Sequence, residues 1–94
     1  MAEYRITYWR DIPSMVSARD GAASAKAALP SRFQEAIDEA AMRLGMAGSD
    51  AYLEQWHHGE WEQADGTPDE LVSTVAERLD NDYDEARLET LLEV

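Results

Sequence analysis

The apolar residues of the chain follow two different periods along its length, and this change of period limits the folds that it can form. From Glu3 to Trp9 the side chains alternate with a period of two, and Tyr, Ile, Thr and Trp predominate, which is typical of a strand. In the segments 33–44 and 71–79 apolar residues recur every three or four positions, which is typical of a helix with one buried face. The sequence therefore predicts an α+β fold.

Turn residues divide the first part of the chain into strands. Asp11–Ser14 is predicted to be a turn, because its proline cannot donate to a sheet ladder, and Met15–Ala18 is predicted to be a short second strand. Residues 19–29 are rich in alanine and are predicted to be a loop or to contain a helical turn. A longer strand is predicted from Ala51 to Trp61, where aromatic residues are frequent.

Capping residues mark the predicted helix ends. Ser31 with Gln34, and Thr67 with Glu70, have the spacing of a capping box, in which the two side chains satisfy free backbone N–H groups. Gly45 suits the left-handed end of the first helix. The second helix is predicted to stop near 81–82, where Asp82 and Glu85 are predicted to cap a short final helix.

The predicted order is strand, strand, helix, strand, helix, helix, in one domain over residues 1–94. Such a chain is expected to form a small antiparallel sheet of about three strands with the helices packed on one face. The other face of the sheet is then at least partly exposed, and we expect binding to occur there.

Charge is distributed unevenly along the chain, which has a net charge of −12. Residues 1–49 carry six acidic and six basic residues, whereas residues 50–94 carry fourteen acidic residues and two arginines. Nucleic acids and anionic membranes both require clustered positive charge, so neither is expected as a partner. A protein partner with a basic surface is permitted.

The composition also limits the compartment and the chemistry. The chain has no cysteine, which excludes disulfides, thiolate catalysis and cysteine-based zinc sites and favours the cytoplasm. No apolar run approaches the roughly 20 residues of a membrane span. The first residues are predicted to form a strand and not a signal peptide.

The aromatic residues of the predicted strands form the candidate binding site. Tyr52, Trp56 and His58 share one face of the predicted long strand, and Trp9 lies in the first strand. Trp and Tyr are frequent anchors at binding surfaces, but the same residues also build sheet cores. Trp56 is expected to pack beneath the helices, because the opposite face of its strand is only weakly apolar.

The two histidines offer a second candidate site. His57 and His58 are adjacent, so on a strand they point to opposite faces and cannot chelate one ion together. A metal site or a general base would combine one of them with a carboxylate such as Glu60. Metal sites need three or four convergent ligands, so a hydrogen-bonded surface histidine is the favoured interpretation. No cofactor, metal ligand or catalytic residue is assigned.

Three segments carry a family resemblance: Tyr8–Pro13, Ser31–Ile37 and Tyr52–Trp56. They resemble a small family of uncharacterised bacterial domains labelled virulence factor. The resemblance spans most of the chain and rests on packing and turn patterns. It implies a bacterial protein encoded beside one-carbon and corrinoid methyl-transfer enzymes, and it implies no reaction and no catalytic residues.

Three hypotheses for the function remain open. The first is a non-catalytic protein-interaction module or accessory subunit of a bacterial cytoplasmic system. The second is a small enzyme or metal-binding domain that uses His57, His58 and Glu60, with a link to one-carbon metabolism. The third is self-association through the sheet to give a homodimer.

Overall fold

The computed structural model of the chain describes residues 2–46 and 50–92. In this part the structure is α+β, with five strands in one antiparallel sheet and four helices. The strands are β1 (Ala2–Trp9), β2 (Ile12–Asp20), β3 (Ala23–Ala28), β4 (Trp56–His58) and β5 (Glu62–Ala64). The helices are α1 (Ser31–Arg43), α2 (Asp50–Glu54), α3 (Pro68–Asp82) and α4 (Glu85–Leu92). The predicted fold class is confirmed, although the sheet has more strands than expected.

The long strand β1 lies in the middle of the sheet. On one side it pairs with β2, which in turn pairs with β3. On its other side β1 pairs with two short strands, β4 along residues 7–9 and β5 along residues 2–4. Every one of these pairings is antiparallel.

The prediction of a loop or helical turn for residues 19–29 is wrong. Strand β2 continues to Asp20, and Ala23–Ala28 pairs with it as β3. Gly21 has a φ of 60° at the first position of the two-residue turn between them, as a type II′ hairpin turn requires. Alanine has a low intrinsic preference for strands, so pairing with β2 and packing against α3 decide the conformation of this segment.

The predicted long strand from Ala51 to Trp61 is also wrong over much of its length. Residues 50–54 form α2, and two short strands separated by Gly59 follow. The helix brings the Tyr52 carbonyl within 2.9 Å of Trp9 Nε1, which donates to it. A buried indole N–H needs an acceptor. The helical conformation of residues 50–54 places the Tyr52 carbonyl where it can serve as that acceptor.

The helix ends agree with the sequence at some positions and differ at others. Thr67 Oγ1 accepts from the Glu70 backbone N–H at 3.2 Å and caps α3, as predicted. Pro30 and not Ser31 occupies the N-cap position of α1, and no side chain caps it. Gln34 donates instead to Asp38, one turn further along α1.

The remaining helix boundaries follow local chemistry. Gly45 has a φ of 70° at the end of α1, the left-handed conformation predicted for it. The predicted break after α3 is confirmed, since this helix ends at Asp82. The cap of α4 differs from the prediction, because Asp84 Oδ1 accepts from the Arg87 backbone N–H at 2.9 Å.

The core lies between the sheet and the helices. Helix α3 packs across β1, β2 and β3, and α1 packs on β2 and α4. The largest fully buried side chains include Trp9, Phe33, Ile12 and Ile37. No helix in the described part of the chain is long and apolar enough to cross a membrane.

Candidate binding site on the open sheet face

The strands present two different faces, and α3 covers one of them. Arg78 in α3 donates to the Tyr4 hydroxyl at 3.3 Å, so Tyr4 marks the covered face. Its neighbour Arg5 then lies on the opposite face, because successive side chains of a strand alternate. Residues paired directly across strands share a face. The side chains that pair with Arg5, and with every second residue on either side of it in β1, therefore lie on this opposite face in the other strands.

On this surface the row Trp56–Trp9–Ile12 includes the buried Trp9 and Ile12. We call the remainder of the surface the open face, and its residues form three rows across the strands. The rows are Gln63–Glu3–Arg19–Ser24, Arg5–Ser17–Lys26 and His58–Thr7–Met15–Ala28. Most of these side chains are exposed or half-buried. The first two rows are polar and carry three basic residues, in contrast to the apolar side chains that face α3.

Trp61 lies on the open face in contact with two guanidinium groups. It belongs to the connection between β4 and β5 and is half-buried. Arg19 Cζ is 3.8 Å and Arg5 Cζ is 4.6 Å from the centroid of its ring, well within the range of cation–π attraction. Glu3 Oε1 accepts from Arg19 Nε at 3.1 Å, which holds the Arg19 guanidinium in place. We call Arg5, Arg19 and Trp61 the arginine–tryptophan cluster.

Arg5 and Lys26 have no carboxylate partner among the described residues. The Arg5 Nε atom is buried and makes no hydrogen bond there, although a buried charged donor without an acceptor costs free energy. Lys26 is exposed on β3. The described residues therefore provide no carboxylate for either positive charge.

The net charge of the open face is opposite in sign to that of the molecule as a whole. It carries Arg5, Arg19 and Lys26 against Glu3 alone, which gives +3 − 1 = +2, whereas the whole chain carries −12. A local positive potential on an acidic protein selects and orients acidic partners. The arrangement can therefore bind carboxylates by charge and apolar or planar groups by stacking.

The predicted aromatic residues come together only in part. Trp9 is fully buried, so it belongs to the core and is not exposed to a ligand. The Tyr52 ring lies 5.6 Å from the Trp9 ring and 6.2 Å from the Trp56 ring, between centroids. Tyr52 and Trp56 are half-buried, so Trp56 is less enclosed than a residue packed fully beneath the helices.

His58 lies apart from this aromatic group, in the third row of the open face. Its Nδ1 atom is 2.9 Å from Thr7 Oγ1, which holds the exposed ring against β1. Trp56 and His58 share a face and His57 points to the other, as predicted for this part of the chain.

The two histidines of the alternative histidine–carboxylate site point to opposite faces of the sheet. The His57 ring stacks on Tyr8 at 5.5 Å, and its Nε2 atom is 2.8 Å from the Arg10 carbonyl. Nε2 must be the donor, because a carbonyl oxygen only accepts. Within residues 2–46 and 50–92 no three His, Asp or Glu side chains group closely enough to hold a metal ion.

A cavity of about 290 Å³ lies beside His57 on the covered face. Its lining includes Tyr8, His57, Tyr83 and Arg87. Burial raises the pKa of the Tyr8 hydroxyl above its usual value, with smaller contributions from Tyr83 and Glu62. The phenol is therefore a neutral hydrogen-bonding group in this cavity at neutral pH.

Sequence reasoning missed the arginine–tryptophan cluster. The alternation in β1 puts Arg5, Thr7 and Trp9 on one face but indicates no partner for Arg5, and Trp61 is 56 positions away from it. One available signal was Asp20-Gly21 followed by alternating small residues and Lys26, which is compatible with a hairpin. Recognising that hairpin would have placed Arg19 and Lys26 on the same face.

Comparison with known proteins agrees with the resemblance seen in the sequence. No curated protein and no solved structure matches the chain significantly. Residues 7–92 match the model of a family described as virulence factor. Because this match covers nearly all of the chain, the protein belongs to the virulence factor family.

Proposed function

We propose that the protein is a non-catalytic protein-interaction module, an accessory subunit of a bacterial cytoplasmic system, that binds its partner through the open face. The arginine–tryptophan cluster carries this proposal. Trp and Arg contribute a large share of the binding energy at protein interfaces, and here they are stacked in a fixed arrangement on a face that α3 does not cover.

The charge of the open face supports a partner that is acidic where it touches this surface. The sequence alone permits a basic partner, because the second half of the chain is strongly acidic. That acidic charge lies largely on α3, α4 and the segments beside them, whereas the open face is positive. The open face is the stronger candidate, since it combines charge with a stacked indole.

The test compares two arginines that are matched in exposure and in ion pairing but lie on different surfaces. Arg19 and Arg43 have side chains that are 48% and 50% exposed, and each pairs with one glutamate, at 3.1 Å and 2.9 Å. Arg19 lies on the open face and Arg43 on α1. Tagged wild-type protein, Arg19→Gln and Arg43→Gln are used to capture partners from the source bacterium, and the affinity of each captured protein is then measured.

We expect a partner that binds wild type and Arg43→Gln alike and binds Arg19→Gln at least about tenfold more weakly, the effect of a side chain that contributes more than ~1.4 kcal/mol. Trp61→Ala should weaken the same complex. Equal affinity of all four proteins for their partner would show that the open face is not the binding surface.

The alternative of a small enzyme or metal-binding domain rests on His57, His58 and Glu60. The two imidazoles are engaged on opposite faces of the sheet, by the Arg10 carbonyl and by Thr7, so no observation favours it over an interaction module. Titration with Zn²⁺ tests it directly. Stoichiometric binding that His58→Ala abolishes would restore this hypothesis.

A further inference from the structure

The two edges of the sheet are built differently. On one side the edge is divided between β4 and β5, each of three residues, with Gly59 between them. The opposite edge is β3, an uninterrupted strand of six residues that, among residues 2–46 and 50–92, pairs only with β2. Proteins usually protect such an edge with proline, bulges or several charges. Strand β3 contains no proline and a single charged residue, Lys26.

The register shows which backbone groups of β3 point away from the sheet. The two-residue turn closes on the pair Asp20–Ala23, which in such hairpins exchanges hydrogen bonds. Leu29 N–H donates to the Ser14 carbonyl at 3.1 Å in the same register. Bonded pairs alternate along the ladder, so the N–H and C=O groups of Ser24, Lys26 and Ala28 point outward.

The side chains of the same three residues lie on the open face. Lys26 is in the middle of the strand, is exposed, and continues the row that begins with Arg5 and Ser17. A sixth strand beside β3 would lie about 4.8 Å away. A carboxylate on that strand opposite Lys26 would therefore be close enough to form an ion pair.

We propose that the β3 edge binds an extended acidic segment of the partner as a sixth strand of the sheet, with an Asp or Glu opposite Lys26. This inference rests on the proposed function, since it names the form and charge of the partner. Backbone hydrogen bonds to the outward groups supply affinity and alternate side chains supply selectivity. A second copy of the chain fits less well, because it would bring the positive rows of two open faces together.

The probe is a blocked hairpin peptide with an Asn-Gly turn and alternating Thr and Glu in its outer strand, because a preformed strand reduces the ordering cost of binding. A matched peptide has Lys in place of each Glu. Isotope-labelled full-length protein is titrated with each peptide, and amide chemical shifts and amide hydrogen exchange are recorded. We expect the Glu peptide to shift and protect the amides of Ser24, Lys26 and Ala28, and the Lys peptide to have no effect.

Two variants separate the backbone from the charge. Lys26→Pro removes an outward N–H that β2 does not use, and proline is tolerated in edge strands, so binding should be lost while the fold remains. Lys26→Gln keeps the N–H and should weaken binding by roughly two- to fivefold, the range of a cross-strand charge pair. Ser24→Pro serves as a second edge variant if Lys26→Pro does not fold.

Several results would overturn the inference. They are undiminished peptide binding by both folded proline variants, equal binding of the Lys peptide, or no protection of β3 amides at millimolar peptide. Concentration-dependent protection of β3 without peptide would identify a second copy as the occupant instead. If the captured partner depends on Arg19 and Trp61 but not on the β3 edge, the proposed function stands and this inference fails. If it depends on neither, both fail.

Discussion

Trp9 and Trp56 are directly opposed across β1 and β4, yet they differ in environment. Trp9 is fully buried and its indole N–H is bonded to the Tyr52 carbonyl. Trp56 is half-buried and makes an edge contact with the Tyr52 ring. The same residue type therefore stabilises the core in one strand and covers its margin in the next.

This difference predicts unequal effects of truncation. Trp9→Ala should lower the free energy of unfolding by about 3–5 kcal/mol, because it leaves a large cavity and an unpaired carbonyl. Trp56→Ala should cost only about 1–2 kcal/mol, since an aromatic pair contributes ~0.5–1.5 kcal/mol beyond partial burial. Urea unfolding of the two variants measures both values. Equal losses would show that Trp56 is as enclosed as Trp9.

Tyr8 provides a test at high pH. Its pKa is raised in the folded protein, first by burial and then by Tyr83 and Glu62. A raised folded pKa means that this stabilising contribution is present below the unfolded pKa of about 10 and is lost as pH rises through the folded pKa. We expect Tyr8→Phe to reduce the loss of stability above pH ~10.

At the scale of the elements, α1 and α3 begin in different ways. Both starts have a hydroxyl residue followed three positions later by Gln or Glu. At α3 the Thr67 hydroxyl accepts a backbone hydrogen bond, and Pro68 takes the first helical position. At α1 the residue before Ser31 is the N-cap, and the Ser31 side chain makes no capping bond.

The two hydroxyl residues therefore form a matched pair for mutation. Thr67→Ala should cost about 1 kcal/mol of stability, the usual effect of removing an N-cap side chain. Ser31→Ala should change stability by less than about 0.5 kcal/mol, as expected for an exposed position without a special contact. Thermal and denaturant melts of both variants provide the comparison. A similar cost at the two sites would mean that Ser31 caps α1 in solution.

At the scale of the whole molecule, acidic charge is in excess and mostly unneutralised. In the described part of the chain, ion pairs with arginine involve Glu3, Glu39 and Asp80, whereas the sequence has twenty acidic residues. Many of the others lie on exposed positions of α3 and α4. Folding brings these like charges together, which opposes stability.

Salt should therefore stabilise the protein. Raising the ionic strength from 0.01 to 0.15 M shortens the screening length from about 30 to about 8 Å, so the melting temperature should rise. Glu77→Gln on the exposed side of α3 should make this rise smaller. A melting temperature that does not change with salt would indicate that the carboxylates are dispersed or paired well enough to avoid repulsion.

Local signals in the sequence determined the parts of this protein that depend on near neighbours. The alternation in β1, the apolar stripes of α1 and α3, the Thr67 cap and the left-handed Gly45 all depend on residues within a few positions. The α+β class follows from those elements, because each has one apolar face that must be buried. Family membership was also predicted from short segments of this kind.

Only the tertiary structure decided where weakly specified segments go and which surfaces remain available. Alanine-rich β3 is a strand because it pairs with β2 and packs against α3. Residues 50–54 form a helix at the point where the Tyr52 ring packs against Trp9. The arginine–tryptophan cluster joins three residues from separate segments. Pairing and burial energies between distant residues outweigh local preferences of a few tenths of a kcal/mol to about 1 kcal/mol, and a single sequence does not state those pairings.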